Sequence, residues 1–455
     1  MTAAPVSMRR FSVFWFGEFI SLTGSAISGF ALLIFLYLRV ESGLILGIAY
    51  ALPILPFMAF SPFAGPLVDR WGARPCLFAS NIADLANVAS IGVLLYTHSF
   101  HVWNVYLYVC LASFIKALQL NAFEAGVPRL VPKSQLGRAN GLRMLATGIS
   151  AIIGPVISGT LLVTIHMSGI IVLDCVSFVF ALVSLVFVRI PSDRGQPATG
   201  SDEAASESRS LLGDFREASR YVAARPGLVA LMILLGITSF GVGFAELLFR
   251  LIILAFSSVW AVGVVMSVGA VGMVAASLVL SVTGWPRRQV PAALGASGFF
   301  AASMVVACLR PSVPLIAACA FVFLASTTVI IRTVQTAWQL KVEPHMLGRA
   351  AALKNAFIVI PQAIADILAG WLADVMTPLI GKEQVHSRFV ATLVGGGPGR
   401  GCALVLMSAG VLVGIFVLLV SLNPRLRHLE DELPDALPDP AQQPDADTLI
   451  AQELS

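Results

Sequence analysis

Long apolar segments follow one another along almost the whole chain of 455 residues, and this feature limits the fold more than any other. A helix needs about 20 apolar residues to cross the hydrocarbon core of a bilayer. Because hydrophobicity here is continuous rather than alternating, the segments predict helices and exclude an outer-membrane β-barrel. Only 12% of the residues are charged, against about a quarter in soluble proteins. The predicted fold class is therefore an all-α integral membrane protein without a large soluble domain.

Hydropathy, interrupted by glycine, proline and charged residues, predicts twelve membrane-spanning helices, numbered spans 1 to 12. Their expected bounds are 11–38, 44–68, 76–96, 102–127, 136–164, 168–188, 227–254, 256–283, 288–308, 312–340, 347–379 and 400–422. Proline removes a backbone donor from a helix, so kinks or hinges are expected at five positions inside the spans: Pro53, Pro56, Pro62, Pro155 and Pro361.

Lysine and arginine are concentrated in the loops on one side of this topology. That side carries, among others, Arg9, Arg10, Arg129, Lys133, Arg287, Arg288, Arg425 and Arg427. Since cytoplasmic loops hold an excess of these residues, both termini are predicted to be cytoplasmic. We expect a multi-pass protein of the cell inner (plasma) membrane.

Changes in composition divide the chain into four parts. Residues 1–188 are predicted to form an N-terminal six-helix bundle, and residues 227–422 a C-terminal one. Residues 189–226 are expected to be a cytoplasmic linker with an amphipathic helix, since the second part of this segment repeats apolar residues at helical spacing. Residues 423–455 carry acidic charges and prolines, which is typical of a disordered, solvated tail.

The two halves are related in sequence. Leu136-Gly137-Arg138-Ala139 recurs as Leu347-Gly348-Arg349-Ala350, and Gly29-Phe30-Ala31 recurs as Gly243-Phe244-Ala245, with each pair at the corresponding place in its half. Reuse of both segments in register indicates two pseudo-symmetric bundles in parallel repeat. Such repeats are typical of secondary transporters that rock two bundles about a site near the membrane midplane.

A short loop between spans 2 and 3 reads Gly65-Pro66-Leu67-Val68-Asp69-Arg70-Trp71-Gly72-Ala73-Arg74. It resembles the signature loop of the major facilitator superfamily, G-x-x-x-D-R-x-G-R-K/R, from which Ala73 departs. Gly65 permits close helix approach, and the Asp69 carboxylate can then meet a helix N-terminus or an arginine of the other bundle. We expect Gly65, Asp69, Arg70, Gly72 and Arg74 to form a gate, with Asp69 and Arg74 as its latch. The alternative is a simple basic turn.

Further segments narrow the resemblance. Similarity to the enterobactin-exporter and macrolide-efflux branch is carried by Pro128-x-Leu130-Val131-Pro132, Asp174-x-x-Ser177-Phe178 and Arg220-Tyr221. The resemblance implies a secondary active transporter that exports an amphiphilic small molecule, such as a drug, a siderophore or another secondary metabolite.

Ionisable residues inside the predicted spans are the candidate site, because each costs about 2.5–3.5 kcal/mol at a helix centre unless it faces a cavity or a partner. The candidates for substrate binding or proton coupling are Glu18 in span 1, Lys116 and Glu124 in span 4, Glu246 and Arg250 in span 7, and Arg332 in span 10. The resemblance implies that spans 1, 4, 7 and 10 line the central cavity. Asp84 and Asp174 are expected to make structural bonds at bundle seams instead.

The expected roles of these candidates follow from their spacing along the helix and their depth in the membrane. Glu246 and Arg250 lie four apart on one helix face and are expected to pair. Glu246 is then either a proton acceptor or part of a static pair. Lys116 and Arg332 either anchor an anionic or polar group of the substrate or are neutralised by neighbouring groups.

Proton antiport with rocker-switch alternating access is the expected mechanism, with the proton gradient as energy source and no cofactor. The expected partners are a small-molecule substrate, protons and the lipid bilayer, with no nucleic acid, and the protein is expected to be a monomer. The alternatives are an importer, a facilitative exchanger or a transport-dead membrane sensor.

Enzyme chemistry is not expected. No P-loop, HExxH or GxSxG motif occurs, and the six cysteines lie singly without a CxxC pair. We therefore expect neither catalytic residues nor a metal site.

Overall fold

The computed structural model describes residues 8–188, 211–283, 289–343, 346–381 and 397–422. Within these residues, twelve helical segments are long and apolar enough to cross a membrane. Their bounds are Met8–Val40, Gly43–Trp71, Ala73–Tyr96, Val102–Leu130, Lys133–Thr164, His166–Phe187, Pro226–Phe256, Val259–Thr283, Gln289–Val306, Val313–Lys341, Gly348–Leu379 and Arg400–Ser421. Each coincides with a predicted span, and the ends differ by a few residues. The prediction of an all-α membrane protein with twelve spans is confirmed.

The spans pack as two bundles. In the first bundle, span 1 packs on spans 5 and 6, and span 3 packs on spans 4 and 6. In the second bundle, span 10 packs on spans 8 and 9, and span 11 packs on spans 7 and 12. The core of the second bundle includes the stacked rings of Phe300 and Phe323, whose centroids are 4.6 Å apart.

Among the five prolines at which kinks or hinges are expected, Pro62, Pro155 and Pro361 lie inside continuous helices, whereas Pro53 breaks span 2. Span 2 consists of two helices, Gly43–Ala51 and Ile54–Trp71. The Pro53 carbonyl accepts hydrogen bonds from the hydroxyl of Ser113 in span 4 and from the amide of Phe57, the latter at 3.3 Å. The first helix packs on span 11 of the second bundle, whereas the second helix packs on spans 3 and 4 of its own bundle.

A short helix, Leu211–Ala223, precedes span 7 and is called the linker helix. It buries Ala218 and Val222, and its Glu217 accepts an ion-paired hydrogen bond of 2.9 Å from Arg349. These contacts join it to the second bundle. Because successive spans alternate in direction, the linker helix and the start of span 1 share one face of the molecule, called the linker face. The predicted tail, 423–455, and the linker before residue 211 lie outside the described residues.

The two bundles meet through glycines near the other face, called the opposite face. A Cβ atom on Gly47 of span 2 would overlap the carbonyl oxygen of Asp366 in span 11. A Cβ atom on Gly263 of span 8 would likewise overlap the carbonyl oxygen of Pro155 in span 5. Only glycine permits such backbone contact between helices, so these two crossings hold the opposite face closed.

Candidate functional site

A cavity of about 720 Å³ lies within the first bundle. Its lining runs from the middle of span 1 toward the linker face, and most of the lining surface is apolar. Aromatic side chains supply much of this wall: Trp15, Phe19, Phe57, Tyr108, Phe123 and Phe178. Four charged residues also line it: Glu18, Asp84, Lys116 and Arg143. An apolar chamber with a few convergent polar groups is the usual form of a small-molecule site.

Glu18 and Lys116 are the two sequence candidates that the cavity brings together. The Glu18 carboxylate accepts a hydrogen bond of 3.2 Å from the amide of the buried Asn81 in span 3. The Lys116 ammonium donates one of 3.3 Å to Gln119, one helical turn further along span 4. Lys116 also interacts electrostatically with both Glu18 and Asp84. One cation and two carboxylates thus line the same chamber, and no ion pair within 4.0 Å joins Lys116 to either of them among the described residues.

Asp84 departs from expectation, because it lines the cavity instead of a seam. Span 3 carries Ser80, Asp84 and Asn87 at helical spacing, but its sequence does not reveal whether this polar face meets a cavity or a neighbouring helix. Asp174 does make the expected structural bonds. It is fully buried and accepts hydrogen bonds from the hydroxyls of Ser28 in span 1 and Ser177 in its own span, the latter at 3.1 Å.

Glu124 does not line the cavity but holds a residue that does. Its carboxylate forms an ion pair of 3.1 Å with Arg143 of span 5. The Arg143 guanidinium also lies over the ring of Phe123, 5.2 Å from its centroid. Sequence reasoning missed Arg143, although its position inside the predicted span 136–164 is the signal that identified the other candidates.

The candidates of the second bundle lie apart from the lining of this cavity. Arg250 does not pair with the Glu246 carboxylate as expected. It donates instead to the backbone carbonyl of Glu246, and its guanidinium lies 4.9 Å from the ring centroid of Tyr50 in span 2. The ring draws the cation toward the first bundle and away from the carboxylate. Arg332, the remaining candidate, is exposed on span 10.

The gating motif is in an unlatched arrangement. Asp69 is exposed and has no ion-pair partner among the described residues. Arg74 does not bind Asp69 but donates to the carbonyls of Leu185 and Val186 at the end of span 6, at 3.1 and 3.4 Å. Arg74 thus joins spans 3 and 6 of its own bundle, and the expected ion pair of Asp69 with an arginine of the other bundle is not formed among the described residues.

Two glycines of the motif have different surroundings. Gly72 has φ = +91° and ends the second helix of span 2, a conformation that glycine adopts without strain. Gly65 faces its own bundle, since a Cβ atom there would meet only Asn121 of span 4, at 3.9 Å. Arg70 is exposed beside Asp69.

Comparison with known proteins identifies the family to which this chain belongs. The family model of the Major Facilitator Superfamily matches residues 14–365. The chain belongs to this superfamily. Its members are membrane transporters rather than enzymes.

Two curated relatives carry an efflux name. Macrolide efflux protein A of Streptococcus pyogenes is 25% identical over 374 residues, which cover 80% of this chain and 89% of the relative. The protein of the same name from Enterococcus faecalis is 23% identical over 322 residues, which cover 69% and 96%. The chain is thus a superfamily transporter with efflux-type relatives.

Solved structures agree on the fold. A bacterial homologue of the human lysosomal transporter Spinster, in an inward-facing and unoccupied conformation, aligns with a TM-score of 0.67 at 13% identity, covering 93% of this chain and 97% of that one. The nucleoside transporter NupG aligns with a TM-score of 0.64 at 12% identity, covering 91% and 100%. Identity at this level supports the architecture alone.

Proposed function

We propose that this protein exports an amphiphilic small molecule, such as a drug, a siderophore or another secondary metabolite, in exchange for protons. The first-bundle cavity carries this proposal. Its aromatic wall suits an apolar body, and its charged residues suit a polar head group. The relatives named for macrolide efflux favour the outward direction.

The coupling is proposed to lie in the charged groups of the cavity. Lys116 is attracted by Glu18 and Asp84 at once. A proton on either carboxylate removes a negative charge that would otherwise bind a cationic or hydrogen-bond-donating group of the substrate, so the proton and the substrate compete for the chamber. Loss of that proton restores the charge, which Lys116 stabilises, and permits substrate binding. Glu246, the proton acceptor suggested by the sequence, lies outside this cavity, so we assign the exchange to Glu18 and Asp84.

The direction of the cycle follows from topology. The excess of lysine and arginine at the linker face favours a cytoplasmic linker face, with both termini inside and the protein in the inner membrane. The present arrangement then receives substrate from the cytoplasm. Rocking of the two bundles would close the linker face and part the glycine crossings, and a monomer suffices for this motion.

The test uses inside-out membrane vesicles that are acidified by respiration and report lumenal pH with acridine orange. A macrolide, a catechol siderophore and a cationic dye are added in turn. Export by antiport predicts that at least one compound releases protons in vesicles with the protein and not in vesicles without it. Lys116→Ala should abolish this release. Arg332→Ala is the matched control, since it removes a cation outside the cavity and should leave the release intact.

The alternatives give other results. Compound uptake that is indifferent to the pH gradient would indicate facilitated exchange. Absence of uptake for a wide panel, with folded protein in the membrane, would indicate a sensor.

A further inference from the structure

One carboxylate crosses from the second bundle to the first at the opposite face. Asp374 of span 11 accepts three hydrogen bonds from the start of span 2. Its Oδ1 accepts from the amide of Gly43 at 2.6 Å, and its Oδ2 accepts from the hydroxyl of Ser42 at 2.7 Å and from the amide of Leu44 at 3.0 Å. Each of these donors belongs to the other bundle.

These bonds complete the N-terminus of a helix. Ser42 is the N-cap of Gly43–Ala51, and its hydroxyl accepts a hydrogen bond of 3.3 Å from the amide of Ile45. The first amides of a helix have no partner within it. Here Asp374 and Ser42 together satisfy those of Gly43, Leu44 and Ile45. The carboxylate also meets the positive end of the helix dipole, which favours its charge.

A glycine contact brings the carboxylate into position. Gly370 lies one helical turn before Asp374 on span 11, and a Cβ atom on Gly43 would be 2.8 Å from the Gly370 carbonyl oxygen. The two backbones therefore touch at this point, and span 11 projects Asp374 onto the end of span 2. Separation of the bundles here would break all three bonds together.

Span 2 carries the same pattern in the reverse direction. Asp69 follows Gly65 by four residues, as Asp374 follows Gly370. Spans 2 and 11 are antiparallel neighbours, so Asp69 lies at the linker face and Asp374 at the opposite face. In the present arrangement Asp374 has its three partners, whereas Asp69 is exposed.

We propose that Asp374 is the latch of the opposite face, and that it alternates with Asp69 during transport. This inference rests on the alternating access of the proposed function. Asp374 holds the opposite face shut while the cavity is accessible from the linker face. When the bundles rock, Asp374 leaves span 2, and Asp69 engages the second bundle at the linker face.

Hydrogen–deuterium exchange of the full-length protein in nanodiscs tests the latch without substrate or gradient. Asp374→Asn should speed exchange of the amides at 43–46 by about tenfold, because the amides of Gly43 and Leu44 lose their charged acceptor and the first turn of the helix loses its hold on span 11. It should also slow exchange of the segment 66–74 at the linker face. Ser42→Ala removes one of the three bonds and should give the same two changes to a smaller extent.

Faster exchange at 43–46 without slower exchange at 66–74 would reduce Asp374 to a local helix cap and overturn the proposal. Unchanged exchange at both segments would also overturn it. Asp69→Asn is the matched control and should leave exchange at 43–46 slow, since Asp69 is exposed and has no ion-pair partner in the part of the chain that the structure describes. If the reciprocal change occurs but no compound is exported, the latch stands and the proposed function fails.

Discussion

Gly47→Ala should open the opposite face by steric force alone. The new Cβ atom would overlap the carbonyl oxygen of Asp366, and it would lie 3.0 Å from the carbonyl carbon of that residue and 3.3 Å from the Cα atom of Ile367. All three atoms are backbone atoms of a long helix, so none can rotate away as a side chain would. Either span 11 moves away from span 2 locally, or the protein shifts to the conformation in which the two spans are separated at the opposite face.

The size of the effect follows from the cost of overpacking. Inserting a methyl group into a tight contact costs about 1–3 kcal/mol. The clash exists only where spans 2 and 11 touch, so the whole cost falls on the present arrangement and shifts its population by about 5- to 150-fold. Any gain in helix propensity, about 1 kcal/mol for glycine to alanine, applies to both arrangements and cancels from this ratio.

Pulsed electron resonance on spin-label pairs measures the shift, in a background with the native cysteines replaced. Labels at Ser12 and Ser281 report the linker face, and labels at Tyr96 and Leu309 report the opposite face; all four positions are exposed. Gly47→Ala should shorten the first distance and lengthen the second.

Gly298→Ala is the matched control. A Cβ atom at Gly298 meets nothing within 4 Å, and this variant should change neither distance. Unchanged distances in Gly47→Ala, with the protein folded, would refute the reasoning that the glycine crossing sets the state.

Two further predictions concern stability. Asp174→Ala should lower the midpoint of thermal unfolding, since it leaves the hydroxyls of Ser28 and Ser177 without their charged acceptor. Each such hydrogen bond contributes about 1.5–3 kcal/mol. An unchanged midpoint would show that water replaces the carboxylate. Gly72→Ala should destabilise the turn between spans 2 and 3 by about 1–2 kcal/mol, because φ = +91° strains any residue with a side chain. Thermal unfolding in matched detergent measures this effect as well, with Gly137→Ala as an unstrained control that should leave the midpoint in place.

The helices were predictable because lipid imposes a length and a hydrophobicity that the sequence must satisfy. Asp174 was also predictable, since a carboxylate on a helix outside the central ring has few partners except hydroxyls of its neighbours. Asp84 was not, because the polar stripe of span 3, formed by Ser80, Asp84 and Asn87, does not reveal whether it meets a cavity or a neighbouring helix. The prediction of an ion pair between Glu246 and Arg250 was wrong for a related reason. Helical spacing brings two residues to one face, but it does not reveal that Tyr50 of another span competes for the cation.

Asp374 was missed for a different reason. It lies near the end of its span, where a charge costs little and attracts no notice on hydropathy alone. Its importance comes from the amides it meets across the bundle interface. Backbone donors have no sequence signal of their own, and only the packing of spans 2 and 11 places Gly43 and Leu44 beside it. The sequence signal for this role is the Gly-x-x-x-Asp pattern, which occurs in both spans 2 and 11.

The carboxylates within the spans differ in whether their partners can move away. Asp174 is bonded to hydroxyls of its own bundle, so rocking of the bundles leaves its surroundings unchanged. Glu124 and Arg143 likewise belong to one bundle. The bonds of Asp374 all cross between bundles, and any change of state must therefore alter its electrostatic energy. A charge can influence a conformational equilibrium only through interactions that differ between the two states. Position relative to the bundle interface, more than depth in the membrane, thus separates charges that stabilise the fold from charges that can regulate the cycle.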